Sequence, residues 1–190
     1  MKVVAVLGSG RVNGNSRKAL EAAIEGLDKD KHEVETILLS KLRTMKPCVG
    51  CDGCRNAKRQ CVVKDDLVEV IKKTREADAV IIASPVYYFG LNSMVKIYID
   101  RLFYSSEAID GQPSLLANKR IGFILSYGDV DPYTSGAVNA INTIKDIANY
   151  VGFDLMDIVY GTTTKEKGPS KKMLSECKGL GKRIVQESKR

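Results

Sequence analysis

Val3-Val4-Ala5-Val6-Leu7-Gly8-Ser9-Gly10-Arg11-Val12-Asn13-Gly14-Asn15-Ser16 reads as a buried strand that breaks into a glycine-rich turn and re-enters a helix. A short apolar run with no polar alternation suits a parallel strand covered on both faces. Residues 16–27 carry apolar side chains at Leu20, Ile24 and Leu27, the spacing of one helix face, with Asn15 or Ser16 as the expected cap. Strand, glycine turn and helix together form the first half of a βαβ unit.

The same rhythm continues along the chain. Strands are expected over 34–39, 79–83, 121–125 and 155–160. Helices are expected from Asp65, over 93–103, over 138–151 and over 171–187. Five strands alternating with five helices make one three-layer α/β domain spanning 1–190. Right-handed crossovers then favour a five-stranded parallel sheet in the order 2-1-3-4-5. Ligands bind such sheets beyond the carboxyl ends of the strands, near the switch point between strands 1 and 3. Three loops fall there: 8–15, 85–92 and 126–132.

The first loop offers hydroxyl and amide donors (Ser9, Asn15, Ser16), one cation (Arg11) and a helix amino terminus, a combination suited to phosphate. It does not match the dinucleotide fingerprint, because Asn13 stands where the third glycine belongs. Nor does it match the nucleoside-triphosphate loop, having no lysine before the serine. A terminal phosphomonoester fits better, although a capped βα turn without a ligand reads the same. A phosphoacceptor domain would need an acidic cluster after strand 1, and there is none. The second loop, Pro85-Val86-Tyr87-Tyr88-Phe89, sets a stiffening proline beside three aromatics that could wall a flat heterocycle or simply pack the loop. Tyr127 and Gly128 occupy the third position. His32 precedes strand 2 at the opposite end and reads as a surface residue.

Residues 44–64 form an irregular, cysteine-rich insertion. Cys48, Cys51, Cys54 and Cys61 have the spacing C-x2-C-x2-C-x6-C, with Cys177 far away in an amphipathic helix. Thiolates two residues apart can converge on one iron–sulfur cluster, whereas zinc more often takes two separated knuckles. Cluster, zinc and metal-free thiols all stay open. The neighbouring Lys46, Arg55, Lys58, Arg59 and Lys64 are candidate charge partners.

The chain has 190 residues, 44% hydrophobic and 28% charged, with net charge +7. That is ordinary for a globular protein. Its basic residues are scattered apart from a tail (Lys165, Lys167, Lys171, Lys172, Lys178, Lys182, Arg183, Lys189, Arg190), and no nucleic-acid-binding motif is present. No apolar run approaches the roughly 20 residues of a membrane helix. The apolar start stops at Gly8 without a cleavage signal, so a cytoplasmic chain with no membrane or nucleic-acid partner is expected.

Five segments occur in the same order in one known family: Leu7-Gly8-Ser9-Gly10-Arg11, Lys46-Pro47-Cys48-Val49-Gly50-Cys51, Cys61-Val62-Val63-Lys64-Asp65-Asp66, Ala83-Ser84-Pro85-Val86-Tyr87 and Ile99-Asp100-Arg101-Leu102. The chain resembles the NADPH-dependent FMN reductase family, and within it the archaeal-type iron–sulfur flavoproteins. The resemblance is carried by motifs over residues 1–103 and by fold pattern beyond. It departs at Gly10, where most relatives have proline. It implies a flavodoxin-like fold with FMN phosphate on Ser9, Arg11, Asn15 and Ser16, and the flavin ring against Pro85 to Phe89. It also implies a [4Fe-4S] cluster on the four cysteines, and homodimers or homotetramers with the cluster near a flavin at a subunit interface. The donor would be ferredoxin or a similar protein, and the flavin would carry the chemistry without a side-chain acid or base. Two other readings remain: a cluster-free NAD(P)H-dependent FMN, quinone or nitro reductase, and a non-enzymatic zinc- or redox-sensing module.

Overall fold

The computed structural model describes residues 1–28, 30–56, 59–164 and 168–186, with Asn56 and Thr164 described by backbone alone. Lys58, Lys165, Lys167, Lys189, Arg190 and the expected helix end at Glu187 lie outside the described residues.

The parallel core is β1 (Lys2–Leu7), β2 (Glu33–Leu38), β3 (Ala79–Tyr87), β5 (Arg120–Tyr127) and β6 (Asp154–Thr164), in the order β2-β1-β3-β5-β6. This is the expected flavodoxin-like order. Two short antiparallel strands extend it, β4 (Gly90–Leu91) on β3 and β7 (Gly168–Pro169) on β6. Side chains of a strand alternate between faces. Accordingly, Val3, Ala5 and Leu7 pack with α1 (Asn15–Gly26) and α6 (Lys171–Ile184), while Val4 and Val6 face the opposite core. That second core takes α3 (Leu67–Glu76), α4 (Ser93–Tyr104) and α5 (Ala137–Val151). Covering on both faces explains why β1, β3 and β5 read as apolar runs, whereas the outer strands β2 and β6 are only partly buried and carry Glu33, Glu35, Asp154 and Asp157. One four-residue helix, α2 (Gly53–Asn56), lies inside the cysteine-rich segment.

Several expected boundaries shift. β3 passes through Ser84-Pro85 rather than ending there, and its last pair with β5 is Pro85↔Ser126. Proline has no N–H to donate to a ladder, so the pairing with β5 ends at that point. Leu39 leaves β2 for a short 3-10 turn. The cap of α1 is Gly14, in extended conformation, so Asn15 and Ser16 are the first helical residues rather than the cap. Asp66, not Asp65, caps α3, and its carboxylate makes no capping bond there. No helix among the described residues is long and apolar enough to cross a membrane.

Candidate flavin cleft and cysteine pocket

The carboxyl ends of β1, β3, β5 and β6 open into one cleft of about 500 Å³. It is lined by Ser9, Arg11, Gly14, Asn15, Ser16, Pro85, Val86, Tyr87, Ser126, Tyr127, Gly128 and Thr163. Nine of the eleven sequence-derived ligand residues thus meet in one place, in a volume normal for a cofactor. The polar end combines Ser9, Arg11 and the start of α1, where helix N–H groups lack intrahelical acceptors. Pro85, Val86, Tyr87 and Tyr127 supply the apolar and aromatic part of the lining.

Side-chain bonds hold the walls in register. Ser16 Oγ and Ser126 Oγ are 2.6 Å apart, tying α1 to β5. Asn15 Nδ2 donates to Thr163 O at 3.4 Å, and Thr163 Oγ1 donates to Tyr127 O at 3.2 Å, tying in β6. Arg11 N donates to Ser9 Oγ at 3.2 Å, closing the turn. None of Gly8, Gly10 and Gly14 has positive φ. Gly8 serves close approach instead: a Cβ there would sit 1.9 Å from Val95 Cγ2 at the start of α4. Burial, its largest influence, pushes the Tyr127 phenol above its ordinary pKa and keeps it neutral.

Tyr88 and Phe89 fall outside the cleft walls. They form the two-residue turn between β3 and β4, with φ of +44° and +67°. Bulky side chains rarely adopt this conformation, which hairpins usually fill with Asn-Gly. Phe89 is held there by contact with Gly136 and by Asn139 Nδ2, which donates to Phe89 O at 3.1 Å. Tyr88 is 99% exposed.

Four residues were not among the ligands expected from sequence: Gly14, Asn92 and Ser126 lie within the three expected loops, and Thr163 lies in none of them. Gly14, Ser126 and Thr163 line the cleft, the last two as polar residues at the carboxyl ends of apolar strands. Asn92 is buried beneath it: Nδ2 donates to Gly8 O (2.6 Å) and Ser84 Oγ (2.9 Å), while Oδ1 accepts from Met94 N and Val95 N to cap α4. One amide therefore joins the first loop, the end of β3 and the amino end of α4.

Cys48, Cys51, Cys54 and Cys61 line a separate small cavity with Arg101, Tyr104 and Ser105 of the α4 end. All are free thiols; Cys48 and Cys51 are exposed and Cys54 is buried. Among the described residues no three His, Cys, Asp or Glu side chains stand close enough to hold a metal. The cavity is about 20 Å³, little more than the space one water needs. Four thiols around one cavity match in kind the donors that an iron–sulfur cluster takes, but this loop would have to rearrange to ligate one. The loop's ends are firmly placed. Asp66 Oδ2 accepts from Arg43 N (2.6 Å) and Thr44 N (3.1 Å), and Asp65 Oδ2 accepts from Lys46 N (2.7 Å). Of the expected charge partners, Arg55 pairs with Glu107 and Asp52, and Arg59 donates from Nη1 to Pro113 O while its Nη2 is buried without a partner. The buried cation beside the cysteines is Arg101 instead.

The sequence profile described as NADPH-dependent FMN reductase matches residues 1–158. The chain belongs to that family. An iron–sulfur flavoprotein of Archaeoglobus fulgidus is 43% identical over 102 residues, 54% of this chain and 46% of that protein. This chain thus spans about half that relative's length. An iron–sulfur flavoprotein of Methanosarcina thermophila is 34% identical over 146 residues, 77% of this chain and 72% of that protein. The solved NAD(P)H:quinone oxidoreductase of Methanothermobacter marburgensis superposes with TM-score 0.76 at 16% identity, covering 98% of each chain. At that identity the likeness concerns the fold.

Proposed function

We propose that this member of the FMN reductase family is an FMN-dependent oxidoreductase of the iron–sulfur flavoprotein type. It acts as a single-domain subunit of a homodimer or homotetramer. The observation that carries the reading is the cleft, which sets phosphate-binding chemistry at one end and a proline–aromatic wall at the other. Ser9, Arg11, Ser16 and the start of α1 would hold the phosphate, and Pro85, Val86, Tyr87, Tyr127 and Gly128 would flank the ring. Bound FMN supplies one- and two-electron chemistry, and the protein supplies position and electrostatics. The cysteine set, the cysteine-motif resemblance and the names of the two relatives support a cluster that exchanges electrons with a one-electron donor such as ferredoxin. Five free cysteines suit the reducing cytoplasm.

A cluster-free NAD(P)H-dependent reductase is the second reading, favoured by the separation of the sulfurs in this conformation. Absorption spectra of protein purified without oxygen, with flavin and iron assayed together, decide between them. Flavin with about four irons per chain supports the first. Flavin without iron supports the second. Protein that takes up no FMN overturns both.

A further inference from the structure

Arg101 is 1% exposed, and its side chain and that of Asp65 are both fully buried. Nη1 donates to Asp65 Oδ2 at 2.5 Å and to Lys46 O at 3.1 Å; Nη2 donates to Val63 O at 3.1 Å. Lys46 lies two residues before Cys48 and Val63 two residues after Cys61. One guanidinium therefore fastens both ends of the cysteine segment. Its third group, Nε, is buried without a partner. A buried N–H left unpaired costs about 1–3 kcal/mol, more when it carries charge. Arg101 also lines the cavity that holds all four cysteines. Neutral thiols are weak acceptors, whereas thiolates and sulfide accept charge-assisted bonds. Asp65 Oδ1 is buried and unpartnered too, but Asp65 is not part of the cavity wall.

We propose that Arg101 is the positioning residue of the cysteine pocket, clasping the loop ends so that the four sulfurs converge and donating from Nε to the anionic thiolate-bound group. The inference rests on the reading of the cysteines as cluster ligands. A donor and a positive charge beside the sulfurs stabilise the reduced, more negative state, so removing them lowers the reduction potential.

The test is anaerobic reconstitution with iron and sulfide of wild type, Arg101→Lys and Arg101→Gln, reading iron per chain, midpoint potential and FMN affinity. FMN affinity within about twofold of wild type shows that the fold is kept. Arg101→Gln then retains less than a tenth of the wild-type iron. Arg101→Lys keeps the charge but not the fork; it holds iron with a tenfold weaker reduction equilibrium, about 59 mV lower for a one-electron couple. Full iron at an unchanged potential in Arg101→Gln overturns the proposal. If Arg101→Gln loses FMN as well, Arg101→Lys decides, and wild-type iron and potential there overturn it. Wild type that binds FMN but no iron overturns the cluster reading, and this inference with it; iron and potential both unchanged in all three overturn this inference alone.

Discussion

Asn92 uses both ends of its amide at once, and the two uses can be separated by mutation. Asn92→Ala removes a helix cap, worth about 0.5–2 kcal/mol, and strands the buried Gly8 carbonyl, worth about 1–3 kcal/mol. A loss of roughly 2–4 kcal/mol is expected in denaturant unfolding. Asn92→Asp keeps the capping oxygen but sets an acceptor against the Gly8 and Pro85 carbonyls and the Ser84 hydroxyl. It should lower FMN affinity at least tenfold in a flavin fluorescence titration; wild-type affinity would show that the amide does not position the first loop. Asp65 yields a prediction of another kind. Burial raises its pKa, but the Arg101 guanidinium and the Lys46 N–H outweigh this and hold it below the ordinary carboxylate value. A depressed folded pKa contributes stability above the unfolded value of about 3.9, lost as pH falls through the folded one. Asp65→Asn breaks a buried pair and should cost about 3–5 kcal/mol at pH 7. Because it also removes this titration, the variant's acid-side slope below about pH 4 should be shallower than wild type's.

At the scale of elements, α1 and α6 cross with backbones nearly touching. A Cβ at Gly181 would lie 1.9 Å from Ala23 O, and one at Gly26 would lie 2.1 Å from Lys178 O. Gly181→Ala gains helix propensity of about 0.8–1.0 kcal/mol but must push the helices apart, so net destabilisation is expected, typically 1–3 kcal/mol for overpacking. A stabilised variant in thermal unfolding would show that the crossing is loose. This contact was not legible in the sequence, since neither glycine carries a signal naming its partner helix. The five core strands and the main helices were legible: β1, β3 and β5 as apolar runs buried on both sheet faces, β2 and β6 as shorter, partly buried stretches between turns. Hydrophobic patterning reports burial, not pairing. It therefore cut β3, β5 and β6 short where Ser84, Pro85, Ser126 and Thr162 continue the ladders in polar or ring-bearing residues. The β3–β4 hairpin was invisible because its turn is Tyr88-Phe89, without the usual Asn-Gly. Likewise Ser16 meets Ser126, and Arg101 meets Asp65, only through the fold. The cleft residues could be listed from loop position, but the bonds that align them could not.

For the whole molecule, the cleft draws its walls from four strands that are distant in sequence and adjacent only when folded. A ligand touching all four binds the native state and not the unfolded chain, so its binding free energy adds to stability. With FMN at 100 times its dissociation constant the gain is about 2.7 kcal/mol. For a chain of 190 residues this corresponds to a rise in Tm of roughly 5–11 °C over the flavin-free protein. Riboflavin lacks the phosphate, so it should give a smaller rise at equal concentration. Arg11→Ala should erase most of the difference between the two ligands while leaving the flavin-free Tm within about 1–2 °C, because Arg11 is exposed and surface substitutions seldom exceed 0.5 kcal/mol. Equal shifts from FMN and riboflavin in the wild type would mean that the Ser9–Ser16 loop holds no phosphate. An FMN-specific shift that survives Arg11→Ala would assign the phosphate to Ser9, Ser16 and the amino end of α1 without the arginine.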